Sequence, residues 1–462
     1  MDLIQIGRKD IFWNYSATFL KIAASVLLLP LILRMLSSEM VGIWSIFMTI
    51  TAFANLLDFG FSPSFTTNVT YVFSGVTKLK TKGFENISTK KQPIDYGLLK
   101  GVIRSMRWLY LRMALILFLI LATVGSYYIY SVLQNYSGDK QEVYIAWIIL
   151  CLINTYNIYT LYYDSLLQGK GLVKRSKQIV IVGQTVYLVI ASTLIMFGFG
   201  LIAIVSAQAS SVLLVRWLSY RSFYTVEIKK FIQLAIPRSQ KEVLKAIYPN
   251  ALKIGLTSLG AFMVLRSAMV IGSLHLSLAE IASYGITMQL ISVIASLASI
   301  YTTTYQPKIA QLRVGQNNKA IKELYLKGQL VLLLTFIAGG LGLILTGHWA
   351  LNLIGSKTQL LSASLIGIAL LVSFLENNHS MAGNILLTKN EVPFFKASLV
   401  SGCISVTLLL LLFQFTNIGL LAMILAPGLA QLLYQNWKWP YEVYKELEIT
   451  PGDISKAIQS FK

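Results

Sequence analysis

The sequence predicts an all-α integral membrane protein of about 12 transmembrane helices in two six-helix bundles. Three observations carry this. First, the chain of 462 residues is 55% hydrophobic and only 13% charged, with a mean hydropathy of +0.65; a soluble chain carries about 25% charged residues. Second, twelve apolar segments long enough to span a bilayer can be counted. Third, the basic residues fall overwhelmingly on one side of those segments.

The segments are 11–33, 41–61, 108–130, 143–167, 179–199, 201–218, 250–273, 279–304, 328–354, 359–387, 397–415 and 418–436. Spans five and six are separated only by Gly198 and Gly200. The start, MDLIQIGRKD, lacks a small-residue cleavage site before the first apolar run and is expected to be a cytoplasmic stub. Of the 39 Lys and Arg residues, 31 fall on the side of both termini and 3 (Arg34, Lys140, Lys357) on the other. By the positive-inside rule both termini are expected in the cytoplasm. The same bias accounts for most of the net charge of +20 without nucleic acid. The other five cations, Lys21, Arg112, Arg216, Lys253 and Arg266, lie inside or at the ends of spans. Snorkelling to the interface is expected for Arg112, Arg216 and Lys253, and Asp164 sits at a similar depth.

Cys151 and Cys403 lie in apolar runs without CxxC spacing, and the three histidines are far apart. No metal and no cofactor is expected. The longest loop, 62–107, holds no phosphate-cradling glycine loop, nucleophile elbow or His/carboxylate cluster. A membrane glycosyl polymerase or ligase would need a sizeable extracytoplasmic loop, so the protein is expected not to be an enzyme.

The halves resemble each other. A shift of 241 lays Glu39 on Glu280 and the polar stripe Thr51, Asn55, Asp58, Ser62 on Ser292, Ser296, Ser299, Thr303. Both stripes have 4-3-4 spacing, one helical face. A shift of 220 lays Asn157 on Asn377. Such a parallel repeat relates two halves about an axis along the membrane normal, with a site between them near mid-membrane. The predicted organisation is a first bundle over 1–220, a basic amphipathic linker over 221–249 expected on the membrane surface, a second bundle over 250–436 and a cytoplasmic tail over 437–462.

An ionisable side chain at the bilayer centre costs about 2.5–3.5 kcal/mol on insertion scales, so it marks a partner or a wet cavity. Lys21 shares a face with Asn14, Thr18 and Ser25, again at 4-3-4 spacing. Either the stripe lines a cavity, or Lys21 is structural, paired with Asp58 or snorkelling. Arg266 matches Ser25 on the 241 shift and is read as a second cavity cation or as a helix-pairing arginine. Asp58 is a counter-ion for Lys21 or a proton carrier. Glu376 and His379 are three apart, beside Asn377, Asn378 and Ser380, and form either a proton relay or a satisfied polar cluster. With cations at least as prominent as carboxylates, the interior favours an anionic solute or amphiphile. Pro30, Pro307 and Pro427 are expected to kink or end helices.

Several runs resemble the bacterial polysaccharide flippases, the Wzx-type transporters of O-antigen and capsule repeat units. They are Asn14 to Pro30 with Gly42-Ile43-Trp44, Leu57-Asp58-Phe59-Gly60-Phe61-Ser62-Pro63, Gly169-Lys170-Gly171-Leu172, Gln306-Pro307-Lys308-Ile309 and Thr388-Lys389-Asn390-Glu391-Val392-Pro393-Phe394. The resemblance covers nearly the whole chain. It implies the multidrug/oligosaccharidyl-lipid/polysaccharide exporter fold, with its two bundles around a V-shaped central cavity. The implied substrate is an oligosaccharide on undecaprenyl pyrophosphate, turned over across the bacterial inner membrane by alternating access. Lys21 and Arg266 would hold the pyrophosphate, and Asp58, Glu376 and His379 would be proton or counter-ion sites. Implied partners are the lipid-linked oligosaccharide, membrane lipids and other polysaccharide-assembly proteins, with no nucleic acid. The rival of the same fold is a proton-coupled multidrug antiporter, which would want unpaired intramembrane carboxylates.

Overall fold

The computed structural model describes residues 8–76, 94–314, 316–389 and 393–459. Among them every regular element is helical. The first half holds α1 (Arg8–Met35), α2 (Ser38–Leu56), α3 (Phe61–Phe73) and α4 (Tyr96–Ile120). A π-helical turn, Leu121–Gly125, carries α4 into α5 (Ser126–Val132). There follow α6 (Lys140–Thr160), α7 (Tyr162–Gly169), α8 (Val173–Met196), α9 (Gly200–Phe223) and α10 (Val226–Leu234), and α11 (Gln240–Gly272) carries the chain from the first half into the second. The second half holds α12 (Leu278–Val314), α13 (Asn318–Leu353), α14 (Ala363–Leu387), α15 (Phe395–Phe415), α16 (Leu420–Leu432), α17 (Gln435–Glu446) and α18 (Pro451–Gln459).

Among the described residues nine helices are long and apolar enough to cross a membrane: α2, α4 with α5, α6 with α7, α8, α9, and α11 to α13 and α15 in whole or part. The remaining three expected spans coincide with α1, α14 and α16. Many apolar side chains on these helices face outward, among them Leu345 at 75% exposure and Phe415 at 76%. With no protein against them, their solvent is lipid. The boundary between spans five and six falls where the glycines put it: α8 stops at Met196, and Gly198 and Gly200 take φ of 84° and 46°, a region glycine enters without steric cost. The expected proline kinks end no helix, since Pro30, Pro307 and Pro427 all lie inside helices.

The chain forms two compact units, Met1–Leu36 with Ile50–Leu256, and Ser37–Thr49 with Thr257–Lys462. In the first, α3 and α4 supply a core of Phe65, Val69, Leu99, Val102, Met106 and Tyr110, all fully buried. The linker belongs to this unit and is pinned to the start of α4. Lys100 Nζ donates to the carbonyls of Gln233 (3.1 Å) and Ala235 (2.8 Å), and Arg238 pairs with Asp95 at 3.0 Å. Asp95 also caps α4 by accepting from the Leu98 N–H.

In the second unit α11 and α15 cross at glycines. A Cβ on Gly260 would overlap the backbone of Ser398, and one on Gly402 would press on Gly260. Small residues allow this close approach where helices pack in lipid. The tail folds back on the same unit: Glu446 of α17 pairs with Arg313 (2.5 Å) and Lys389 (2.7 Å), and Asp453 of α18 with Lys322 (2.9 Å).

Candidate functional site

The polar stripe of the first unit straddles a break in the second apolar segment. After α2 the chain turns through Leu57 to Gly60, with Phe59 and Gly60 at φ of 46° and 70°, before α3 begins. Phe59 fits because Gly255 opposite has no side chain to meet its ring. Asp58 sits in this turn. Its carboxylate accepts the Tyr110 hydroxyl at 2.6 Å and the Ser62 N–H at 3.2 Å. Ser62 in turn hydrogen-bonds Ser165 at 3.0 Å. Higher on the stripe, Asn154 Nδ2 donates to Thr51 (3.4 Å) and Asn157 Nδ2 to Asn55 (3.5 Å). The stripe thus meets α4, α6 and α7 of its own unit, while Asn55 stays exposed.

Arg216 corrects the sequence reading. Instead of snorkelling it is buried, at 5% exposure, and donates to Asp164 Oδ2 and to Asn157 Oδ1, both at 2.7 Å. Depth along the sequence suggested a residue near the span end, but α9 runs on to Phe223, two turns further. The break between α6 and α7 also turns Asp164 toward it. Opposite charges in two apolar runs were the available signal. Arg112 is exposed, its guanidinium 3.5 Å from the centroid of the Trp108 ring. Asn14, Thr18, Lys21 and Ser25 are on α1, which packs against α8, but their side chains lie outside the described residues, as does that of Lys253.

In the second unit the polar segment of α14 is a hub. Four successive residues take partners on different helices. Glu376 meets the Gln431 side chain of α16 and feels the charge of Arg266 on α11. Asn377 Oδ1 lies 3.5 Å from Ser299 Oγ of α12. Asn378 Oδ1 accepts from Gln329 Nε2 of α13 at 3.1 Å. His379 Nδ1 is 2.8 Å from Asn436 Oδ1 of α17. A helix rotates by about 100° per residue, so four in a row address a full turn of neighbours. Arg266 thus stands within electrostatic reach of Glu376 and of Tyr284, while His379 bonds elsewhere; among the described residues no hydrogen bond joins Glu376 to His379. Gln329 also holds Tyr444 of α17, whose hydroxyl donates to Oε1 at 2.9 Å. Gln329, Gln431 and Asn436 were not singled out in the sequence, because an amide in an apolar run carries no charge signal.

Arg266 is exposed, as are Ser292, Ser296 and Thr303 of the second stripe. The matched asparagines behave alike: Asn157 reaches the stripe of α2 and Asn377 the stripe of α12. In each unit one of the two asparagines thus lies at hydrogen-bond distance from a residue of a polar stripe. Among the described residues no group of three His, Cys, Asp or Glu could hold a metal ion.

No family model matches the sequence, and no curated protein matches it in sequence at a significant level. Solved structures do match in fold. One is the inward-facing conformation of a multidrug resistance MATE family transporter of the MOP superfamily, with TM-score 0.64 and 15% identity, covering 95% of this chain and 96% of that one. Another is the lipid II flippase MurJ in an inward closed conformation, with TM-score 0.64 and 14% identity, covering 97% and 90%. A third is the MATE multidrug transporter DinF-BH, with TM-score 0.62 and 15% identity, covering 97% and 98%. The chain has the fold shared by the MATE transporters and MurJ.

Proposed function

We propose that the protein is a flippase for an undecaprenyl-pyrophosphate-linked oligosaccharide, working by alternating access in the bacterial inner membrane with both termini in the cytoplasm. The observation that carries this reading is Arg266: an exposed guanidinium on a membrane helix, within the field of one carboxylate. A guanidinium offers a planar fork to a phosphate, and a diphosphate outcompetes a lone carboxylate for it by charge. The exposed hydroxyls Ser292, Ser296 and Thr303 supply polar contacts suited to a sugar headgroup. Lys21 serves as the second cation, and Asp58, Glu376 and His379 serve as proton or counter-ion groups. Polysaccharide-assembly proteins would deliver and consume such a substrate. The likeness in fold to a lipid flippase supports transport of a lipid-linked cargo.

A proton-coupled multidrug antiporter is the second reading. Asp58 and Glu376 favour it, since a cationic drug needs a membrane carboxylate. Binding separates the two. Thermal shift of the purified protein with undecaprenyl pyrophosphate should exceed that with undecaprenol, and Arg266→Gln should lose most of the difference. Equal shifts in the native protein count against the flippase.

A further inference from the structure

One end of the first unit gathers basic and phenolic groups that the transport proposal does not use. Arg107 of α4 is exposed and lies beside Tyr159 near the end of α6, with Tyr162 and Tyr224 close by. Tyr159 and Tyr162 stand edge to face at 6.5 Å between centroids, and Tyr163 packs on Tyr220 at 5.8 Å and on Tyr224 at 6.4 Å. Lys229 of α10 lies 5.2 Å from the Tyr220 ring, closing the cluster from the linker side. Arg104 and Lys230 are exposed nearby in sequence on the same two helices.

Among the described residues no carboxylate forms an ion pair with Arg107 or Lys229. Of the acids in this region, Asp164 is committed to Arg216, and Glu227 of α10 lies toward Tyr96 and Lys170. Two cations therefore stand among aromatic rings, which neutralise neither of them. The setting is the membrane interface. Trp108 and Trp217 are exposed on α4 and α9 and are stacked by Arg112 and Arg221 at 3.5 Å and 4.3 Å. Tryptophan belts with basic neighbours mark headgroup level. On α10, Val226, Lys230 and Leu234 form an i, i+4, i+8 row that turns away from the protein, Val226 at 87% and Leu234 at 75% exposure, while Ile228 on the far side is buried. An apolar row with a lysine in its middle suits acyl chains beside phosphates.

From these we infer that the surface formed by Arg107, Tyr159, Tyr220 and Lys229 binds the phosphate of an anionic phospholipid, with α10 lying against its acyl region. The cations supply charge-assisted hydrogen bonds to the phosphodiester. Basic recesses between transmembrane helices at the charged side of a membrane protein hold lipid headgroups in this way. Because α10 is bonded to the start of α4 through Lys100, the lipid would also fasten the linker to the first unit.

The test uses the full-length protein, delipidated in neutral detergent and titrated with short-chain phosphatidylglycerol or phosphatidylcholine, with bound lipid counted by native mass spectrometry. Phosphatidylglycerol should bind about tenfold more tightly than phosphatidylcholine, whose choline cation cancels the charge of the same phosphodiester and is repelled by Arg107 and Lys229. Arg107→Gln should lose most of that preference, and Lys229→Gln part of it. Millimolar inorganic phosphate should not displace the lipid. Equal binding of the two lipids, or an unchanged preference in Arg107→Gln, overturns the assignment. Displacement by inorganic phosphate overturns it too, making the surface a site for a soluble phosphate. Should Arg107→Gln fail to fold, Lys229→Gln, a change at an exposed residue, decides on the same criteria. The readout does not involve transport, so it stands or fails separately from the flippase reading.

Discussion

Arg216 and Asp164 form an ion pair at 2.7 Å, with the arginine side chain 6% exposed and the aspartate 29%. The second guanidinium arm holds Asn157, which reaches Asn55 of the polar stripe. The pair therefore ties α9 to α7 and orients an amide of α6 in one stroke. Removing one partner of a buried pair leaves the other uncompensated, at a cost of about 3–5 kcal/mol. Asp164→Ala should lower the melting temperature in detergent by many degrees. The double change Arg216→Met with Asp164→Leu should recover much of that loss, because no charge is then stranded. Equal melting of single and double variants would contradict the pairing.

Tyr110 is buried and donates to Asp58 at 2.6 Å. Tyr110→Phe keeps the packing and deletes one hydrogen bond to a carboxylate, worth about 1.5–3 kcal/mol. Chemical denaturation should show a loss in that range. Ser62→Ala, which leaves its backbone N–H bond to Asp58 intact, should cost less.

The docking of α18 should depend on pH. The Thr450 N–H, then Lys322 and the Thr450 hydroxyl, hold Asp453 well below the usual carboxylate range. A group whose value is lowered on folding stabilises the docked form above the unfolded value, near pH 4, and loses that contribution as pH falls toward the folded one. Hydrogen exchange of α18 should be slow at pH 5 and accelerate below pH 4. Lys322→Met should raise the pH at which acceleration begins.

Gly260 and Gly402 should tolerate no larger residue. Gly260→Val would overlap the Ser398 backbone, which cannot yield without moving α15. Poor yield of folded protein is expected, whereas Gly342→Ala, with open space at its Cβ position, should behave like the native chain. A well-folded Gly260→Val protein would contradict the close crossing.

Much of the fold is legible in the sequence because the bilayer simplifies the code: a span must be a run of apolar residues, and Gly198 and Gly200 mark a turn even between adjoining runs. The stripes at Thr51 and Ser292 are legible because hydroxyls and amides at helical spacing stand out against leucine. Partnerships are less so. Glu376 and His379 share spacing that suggests a pair, yet α14 packs against several helices and each residue finds a different neighbour. The linker is legible as basic and amphipathic, but its bonds to Lys100 go through the backbone carbonyls of Gln233 and Ala235, which leave no trace in residue identity. Arg216 was misplaced because its surroundings come from α6 and α7, far away in sequence.

The most direct test of the account is flipping by the purified protein in proteoliposomes. A fluorescent oligosaccharide on undecaprenyl pyrophosphate is placed in one leaflet, and its arrival in the other is read by a membrane-impermeant quencher. The native protein should move it, while Arg266→Gln and Lys21→Gln, folded equally well, should be slowed about tenfold or more, the loss expected for one charge-assisted contact to the diphosphate. A native protein that leaves the lipid in place but drives a cationic dye against a proton gradient would contradict the account and establish the antiporter reading in its stead.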